Sequence, residues 1–201
     1  DERGLVVREG TCHFDGSYLY VDKEYDERGQ VISMSQPFKH SASARKYQYV
    51  YDSFGRILSK EDPIGNITTY SYDGLNITIN ENGKTTRKTY NALNDLLSVD
   101  SYKGNVQYRY DGGGRVVEET TGGITQYYTY DPFGRLISKR NPYSGKKNTS
   151  YDEEGNVAEV NDGEKSIRYS YDLLGHVTSK TVEDEKVYNY SYNSYGELCS
   201  V

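Results

Sequence analysis

The chain has 201 residues and carries 24 Lys and Arg side chains against 30 Asp and Glu, which gives a formal net charge of −6. It contains 23 Tyr and 20 Gly, one Met and no Trp, a composition that argues against a helical domain. No apolar run approaches the roughly 20 residues that a membrane span needs. The acidic balance, with no Lys/Arg block, argues against a nucleic-acid partner.

A tandem repeat organises the whole chain. The dipeptide Tyr-Asp or Tyr-Asn recurs at intervals of 18 to 26 residues, most of them 20 or 21. Its tyrosines, called the anchor tyrosines below, are Tyr25, Tyr51, Tyr72, Tyr90, Tyr110, Tyr130, Tyr151, Tyr171 and Tyr192. Residues 1–6 match the same pattern without the Tyr. We therefore interpret 1–201 as a single array of nine to ten copies, truncated at its N-terminus and part of a longer protein.

Each copy is expected to begin with a tight turn. The residue after the anchor is Asp or Asn, and the fourth residue after it is Gly in seven copies and Asn in two. The pairs are Asp26 and Gly29, Asp52 and Gly55, Asp73 and Asn76, Asn91 and Asn94, Asp111 and Gly114, Asp131 and Gly134, Asp152 and Gly155, Asp172 and Gly175, and Asn193 and Gly196. An Asx side chain accepts the N–H two residues on, and Gly, or else Asn, adopts the positive φ that closes the turn. The pattern predicts a type I turn with a G1 bulge.

Alternating side chains flank these turns, as is typical of β-strands. A second Tyr stands two residues before the anchor in six copies, so both rings are expected on one face, packed against the rings of neighbouring strands. Apolar residues such as Ile57, Val116 and Leu136 begin the returning strands, and the segment from Gln36 to Arg45 is expected to be a longer loop. Second turns are predicted at 62–66, 103–105, 121–123, 143–145 and 161–163.

The predicted fold class is all-β. Two strands per copy make a continuous antiparallel strip of tandem β-hairpins, with about 20 to 21 residues per repeat and roughly 18 to 20 strands. Twisted open sheets rarely pass about ten strands without curling. We therefore expect the strip to be curled as an arc or as part of a spiral β-shell.

The turn motifs carry a family resemblance. The hexapeptides YDSFGR at 51–56 and YDPFGR at 130–135, and the run DPIGN at 62–66, resemble the YD repeats of the RHS (rearrangement hotspot) family. That family includes Rhs proteins, toxin-complex C components, wall-associated proteins and teneurin-like shells. The resemblance spans essentially the whole chain and implies a β-strip that spirals into a hollow shell, often around a toxic C-terminal domain. The Arg that follows the turn Gly in the family motif stands here only at Arg56, Arg115 and Arg135.

Residue types that catalyse reactions or bind metals are few and scattered. His13, His40 and His176 are not spaced as ligands, and Cys12 and Cys199 form no metal-binding spacing. Cys199 stands where other copies have apolar residues, so we expect it in the core. Turn capping explains one Asp or Asn per copy without calcium. The DPFG run at 131–134 is similar to the motif near the self-cleavage site of some Rhs shells, but its frame is that of an ordinary turn. We expect no enzyme, no catalytic residue, no metal and no cofactor.

Two functions from different classes fit this organisation. The first is structural: a shell or scaffold segment of a secreted or cell-surface protein, whose partners are the remaining repeats and a C-terminal toxin domain. The alternative is an adhesion module that binds a glycan or a surface protein through its Tyr-rich faces, with Tyr108, Tyr128 and Tyr169 as candidate ligand contacts. The terminal strands lack a neighbour on one side, so self-association through these edges is also expected.

Overall fold

The computed structural model describes residues 1–39 and 44–201. His40 and the middle of the predicted loop between Gln36 and Arg45 lie outside the described residues. At the ends of that loop, the Gln36 N–H donates a 2.8 Å hydrogen bond to the Arg45 carbonyl, and Phe38 forms a single antiparallel bridge with Tyr20. The regular elements of the described residues are all strands, which confirms the predicted fold class. A search of these residues found no helix with the length and apolarity to cross a membrane.

The described chain divides into two compact units, Asp1–Gly104 and Asn105–Val201. The strands of the first unit are β1 (Arg8–Cys12), β2 (Tyr18–Tyr25), β3 (Val31–Ser35), β4 (Lys46–Tyr51), β5 (Ile57–Glu61), β6 (Ile67–Asp73), β7 (Asn76–Glu81), β8 (Lys84–Tyr90) and β9 (Leu96–Ser101). Each strand from β1 to β8 pairs antiparallel with the next strand along the chain. The first unit is therefore a run of tandem hairpins.

The second unit repeats this organisation. Its strands are β10 (Gly104–Tyr110), β11 (Val116–Thr121), β12 (Ile124–Tyr130), β13 (Leu136–Asn141), β14 (Gly145–Tyr151), β15 (Val157–Asn161), β16 (Ser166–Tyr171), β17 (Val177–Val182), β18 (Lys186–Asn189), β19 (Ser191–Tyr192) and β20 (Leu198–Ser200). Strands β10 to β18 pair antiparallel in chain order, and β19 pairs with β20. The hairpins are those that the repeat predicts.

Bulged hairpin turns follow eight of the nine anchor tyrosines. In each, the register shifts between the anchor and the residue before it, because two residues of one strand face one residue of the other. The fourth residue after the anchor has a positive φ in all eight copies: Gly29, Gly55, Asn94, Gly114, Gly134, Gly155, Gly175 and Gly196. These copies have the bulged turn that Asx and Gly at this spacing predict.

The copy that begins at Tyr72 has a different turn, and the interpretation of Asn76 is corrected. Asn76 is the first residue of β7 and lies directly opposite Asp73 in an unshifted ladder, and the positive φ of 55° belongs to Gly74. The loop is then Gly74 and Leu75, and a Gly at the first loop position allows a two-residue hairpin turn, which is shorter than the bulged turn. The Gly directly after Asp73 therefore overrides the spacing of the repeat.

The described residues of the two units enclose no hydrophobic core. Among them no apolar side chain is fully buried, and the buried residues are Ser33 and Ser35. Exposure alternates along some of the strands, such as β4, where Tyr49 and Tyr51 are half-buried while Gln48 and Val50 are exposed. Cys199, which was expected in the core, is an exposed free thiol in β20, and this prediction is wrong because no second layer of structure covers that strand.

Candidate functional site

The anchor turn, from each anchor tyrosine to the fifth residue after it, is built around one Asx side chain. In the turn at Tyr51, Asp52 Oδ1 accepts hydrogen bonds from the N–H groups of Phe54 and Arg56, each 2.9 Å long. The backbone closes the same turn: the Asp52 N–H donates to the Arg56 carbonyl, and the Gly55 N–H donates to the Asp52 carbonyl. One carboxylate oxygen therefore satisfies two N–H groups that a tight loop leaves without ladder partners.

The fifth residue after the anchor pairs with that Asx side chain. Asp52, Asp111 and Asp131 each bind the guanidinium of the Arg four residues later at 2.7 Å. Asn156 and His176 take the place of Arg opposite Asp152 and Asp172, with hydrogen bonds of 3.1 and 3.0 Å. The family Arg is therefore one of several side chains that can fill this position.

Two copies reverse the direction of this hydrogen bond. Where the Asx residue is an amide, the fifth residue is acidic: the Asn91 amide donates to Asp95 at 2.9 Å, and the Asn193 amide donates to Glu197 at 2.8 Å. Donor and acceptor exchange places and the turn keeps its shape. This complementarity is visible in the sequence, but it is missed when the fifth residue is considered without the Asx residue of the same turn.

The charged pairs shift the ionisation of the turn carboxylates. At Asp111, the side-chain hydrogen bond from Arg115 and the bond from its backbone N–H lower the pKa of the carboxyl below its ordinary value. At Asp172, the hydrogen bonds from the backbone and ring of His176 lower the pKa in the same way. Both carboxylates are thus held ionised by the fifth residue of their own turn.

In six copies a hydroxyl bond joins the copy to the one before it. The anchor hydroxyl donates to the carbonyl of the residue that begins the preceding copy's returning strand, at 2.8 Å from Tyr51 to Val31 and 2.8 Å from Tyr130 to Val116. Four further pairs repeat this bond at 2.9 to 3.0 Å: Tyr72 with Ile57, Tyr151 with Leu136, Tyr171 with Val157, and Tyr192 with Val177. We call this contact the tyrosine staple.

The fifth residue also reaches forward onto the next copy. The guanidinium of Arg56 lies 4.2 Å from the ring centroid of Tyr72, and that of Arg135 lies 4.5 Å from the ring centroid of Tyr151. The His176 ring stacks on Tyr192 with centroids 4.8 Å apart. Successive anchors stand two strands apart, about 9.5 Å, so their rings are too distant to stack directly. A cation or imidazole fills the space where ring-on-ring packing was expected.

In two turns, contacts from the preceding copy leave little room for a side chain at the Gly. A Cβ on Gly196 would stand 3.1 Å from His176 Nε2, and one on Gly55 would stand 3.1 Å from Gln30 Nε2. The same Gln30 amide donates a 3.1 Å hydrogen bond to the Gly55 carbonyl. Gly at these positions therefore serves both the positive φ of its own turn and the close approach of the preceding copy.

The candidate ligand contacts Tyr108, Tyr128 and Tyr169 all lie half-buried on their strands. The Tyr128 hydroxyl donates a 2.8 Å hydrogen bond to Glu119, and partial burial together with this bond raises the pKa of Tyr128 to about 12. Glu119 stands opposite Tyr108 in the ladder, so the first two candidates share one carboxylate neighbour. Tyr169 lines a separate groove, which is not shared with either of them.

Shallow grooves lie between successive anchor turns. One, of about 380 Å³, is lined by Asp26, Arg28 and Tyr51 among others, and the Arg28 guanidinium donates across to the Ser53 carbonyl at 2.8 Å. The other, of about 480 Å³, is lined at matching positions by Asp152, Glu154 and Tyr171, and also by Tyr169. The repeat therefore generates one groove type whose charge depends on the third residue after the anchor.

Groups that could bind a metal do not converge in the part of the chain that the structure describes. No cluster of three His, Cys, Asp or Glu side chains forms there. Cys12 and Cys199 are free and exposed. The polar groups of the anchor turns instead bind within their own copy or to the neighbouring copy. Carboxylates cap turns, hydroxyls bind carbonyls, and cations cover rings.

Known proteins are similar to this chain in sequence and in fold. The family described as Teneurin YD-shell matches residues 1–146, and the family described as RHS Repeat matches residues 130–167. Double-stranded DNA deaminase toxin A of Burkholderia cenocepacia (strain H111) is 26% identical over 157 residues, with 66% of this chain and 11% of that protein covered. The crystal structure of TcdB2-TccC3-Cdc42 has a TM-score of 0.67 to this chain at 15% identity, with 90% of this chain and 14% of that one covered.

The extent of these matches decides what they show. The solved structure shares the fold alone at its level of identity, and this chain spans about a tenth of the length of the curated relative. The YD-shell match, in contrast, spans well over half of the 201 residues and includes six of the nine anchor tyrosines. The chain belongs to the teneurin YD-shell family.

Proposed function

We propose that this chain is a wall segment of a hollow shell within a longer protein that is secreted or displayed at the cell surface. The observation that carries the proposal is the recurrence of contacts between copies without an enclosed core. Each tyrosine staple and each forward contact of a fifth residue is completed by the neighbouring copy. Such an array becomes more stable as copies are added, as other repeat proteins do. This organisation suits a long wall better than it suits an independent globular domain.

The proposed content of the shell is a toxic C-terminal domain. Support comes from the relative named as a DNA deaminase toxin, of which the matched segment is only 11%, so most of that protein lies outside the repeats that resemble this chain. The role of this chain would be to enclose and not to catalyse, since the carboxylates and hydroxyls of its anchor turns bind groups of their own copy or of the neighbouring copy. The remaining repeats of the parent protein and its toxin domain are the proposed partners.

Protease protection in the full-length parent protein tests this proposal. If the repeats form a closed wall, the C-terminal domain should resist limited proteolysis for far longer than the same domain produced alone, and electron microscopy should show a hollow particle. Replacing Tyr130, Tyr151 and Tyr171 with Phe removes three staples and should increase the digestion rate. Equal digestion of the enclosed and isolated domains, or a particle without a lumen, would contradict the proposal.

A second candidate function is glycan or protein binding through the tyrosine faces. The groove that Tyr169 lines is the observation that favours it, because its volume of about 480 Å³ suits a small ligand and its walls combine ring surface with carboxylates. Saturable binding on a glycan array that is lost in Tyr169→Ser, and retained in Tyr169→Phe, would support this function. The same pair of variants at Tyr108 and Tyr128 tests the other two candidates.

A further inference from the structure

One hairpin of the second unit concentrates positive charge. Strands β13 and β14 carry Lys139, Arg140, Lys146 and Lys147, all exposed, and the segment 138–148 contains no acidic residue. The ladder places Lys139 directly opposite Lys147 and Arg140 directly opposite Lys146. In the sequence, the connecting loop separates Lys139 and Arg140 from Lys146 and Lys147. The register of the hairpin brings these two dipeptides together.

This arrangement costs stability within the chain. Like charges directly opposite each other on neighbouring strands repel, and a carboxylate partner would remove that cost. Elsewhere in the same unit, Arg109 pairs with Glu118 at 2.7 Å, Arg135 with Asp131 at 2.7 Å and Arg168 with Asp184 at 2.6 Å. Within the described residues, none of the four side chains of the basic hairpin has such a partner. Their charges are therefore available to an external anion.

The hairpin also has a small groove beside one of the basic pairs. Tyr127, Arg140, Asn141 and Pro142 line a volume of about 330 Å³. The Arg140 guanidinium lies 4.7 Å from the Tyr127 ring centroid, and stacking of this kind holds a guanidinium flat with its N–H edges directed outward. Asn141 Oδ1 accepts hydrogen bonds from the N–H groups of Tyr143 and Ser144. The amide nitrogen of Asn141 is then its remaining donor group.

We propose that the β13–β14 hairpin binds an anionic polysaccharide, with a sulfate or carboxylate on Arg140 and Lys146 and a sugar ring against Pro142. Planar guanidinium forks match oxyanions bidentately, and a proline surface suits the apolar face of a sugar. This role is separate from wall formation, since the four basic side chains take part in no staple.

Charge and geometry favour this ligand over other polyanions. A nucleic-acid strand gains affinity from free aromatic faces, whereas Arg140 already covers Tyr127. Alternation along the strands puts Arg140 and Lys146 on one face of the hairpin and Lys139 and Lys147 on the other. A flat bilayer reaches one of these pairs, while a flexible polysaccharide can pass around the hairpin and contact both.

Titration calorimetry on the full chain, with a heparin-derived hexasaccharide as the probe, tests the proposal. The double variant Arg140→Gln with Lys146→Gln should bind at least about tenfold more weakly, as the loss of a charge-assisted contact predicts. The matched control is Lys84→Gln with Lys103→Gln, which removes the same charge beside another ring, that of Tyr102. The control should bind as the unmodified chain does.

A charge-reversal variant separates binding from folding. Lys146→Glu places a carboxylate opposite Arg140, so it should raise the midpoint of urea unfolding while it abolishes binding. The proposal is overturned if the unmodified chain does not bind the hexasaccharide at physiological ionic strength, or if the control variant loses as much affinity as the hairpin variant. Tighter binding to duplex DNA or to phosphatidylserine vesicles than to the hexasaccharide would overturn it as well.

Discussion

At the scale of single residues, the fourth position after the anchor sets the strictest conformational demand. Gly134 has a φ of 85°, and Asn94 meets the same demand in another copy with a φ of 67°. A Cβ at Gly134 would find its nearest heavy atom, in Arg115, 3.6 Å away, an ordinary contact distance. Backbone strain, and not crowding, should therefore decide the effect of a substitution there.

Gly134→Val is expected to lower the free energy of unfolding by about 1 kcal/mol or more, because a β-branched residue resists positive φ. Gly134→Asn should cost clearly less, since Asn tolerates the left-handed region. Urea unfolding of both variants beside the unmodified chain measures the difference. Equal losses for Val and Asn would show that φ is not the controlling quantity.

The turn carboxylates predict how stability depends on pH. Arg115 lowers the pKa of Asp111 below its ordinary value of about 3.9, so the folded state binds its proton less readily than the unfolded chain does. This contribution to stability is present above the unfolded pKa and is lost as the pH falls through the folded pKa. The urea midpoint should therefore hold steady from neutral pH down to about 4 and fall below that.

Asp111→Asn tests whether protonation of Asp111 causes the loss of stability at low pH. The variant should be less stable than the unmodified chain at pH 6, because the amide faces the Arg115 guanidinium with one acceptor in place of a charged carboxylate. It should also lose less stability on acidification, since one titrating group is gone. A variant whose acid profile runs parallel to that of the unmodified chain would assign the loss to other groups.

At the scale of the element, the hairpins are the part of the fold that the sequence predicts best. An Asx residue and a Gly three positions later specify a bulged turn by local chemistry alone, as at Asp131 and Gly134. The same logic failed at Asn76, because Gly74 and Leu75 form a two-residue loop and Asn76 pairs with Asp73 in the ladder. The tyrosine staples could not be predicted, since they depend on which carbonyl of the preceding copy the register places beside each hydroxyl.

Removal of one staple should weaken one junction between copies. Tyr130→Phe deletes the hydroxyl that binds the Val116 carbonyl at 2.8 Å and should lower the free energy of unfolding by about 1 kcal/mol, the usual net value of such a hydrogen bond. Hydrogen exchange should accelerate in β11 and β12. Tyr143→Phe, at a ring that is 81% exposed, is the matched control and should change neither quantity. Equal effects of the two variants would show that the tyrosine staple does not stabilise this junction.

At the scale of the whole molecule, the absence of a buried apolar side chain among the described residues makes neighbouring copies the main source of stability. A strand with a neighbour on both sides has its ladder groups paired, whereas a terminal strand does not. In the first unit, β1 pairs with β2, and all five of its residues are exposed. In the second unit, β20 pairs with β19 and is exposed along its length.

Those two edges lead us to predict that the isolated chain self-associates through its terminal strands. Copies of similar sequence leave strand register weakly specified, which lowers the barrier to pairing between chains. Strand β20 contains no charged residue and no Pro to block an incoming strand, whereas Arg8 and Glu9 of β1 are engaged in ion pairs with Asp22 and Lys23. Pairing through β20 should therefore predominate.

Light scattering over a concentration series measures this association, and a variant with one charge placed on the edge supplies its control. Leu198→Lys puts a charge on β20, where Leu198 is 53% exposed, so it should reduce the dimer fraction without unfolding the chain. An equivalent Lys at Val50, 54% exposed in β4, should leave the mass unchanged, because β4 pairs with a strand on each side. A strictly monomeric mass for the unmodified chain at high concentration would refute pairing through the edges.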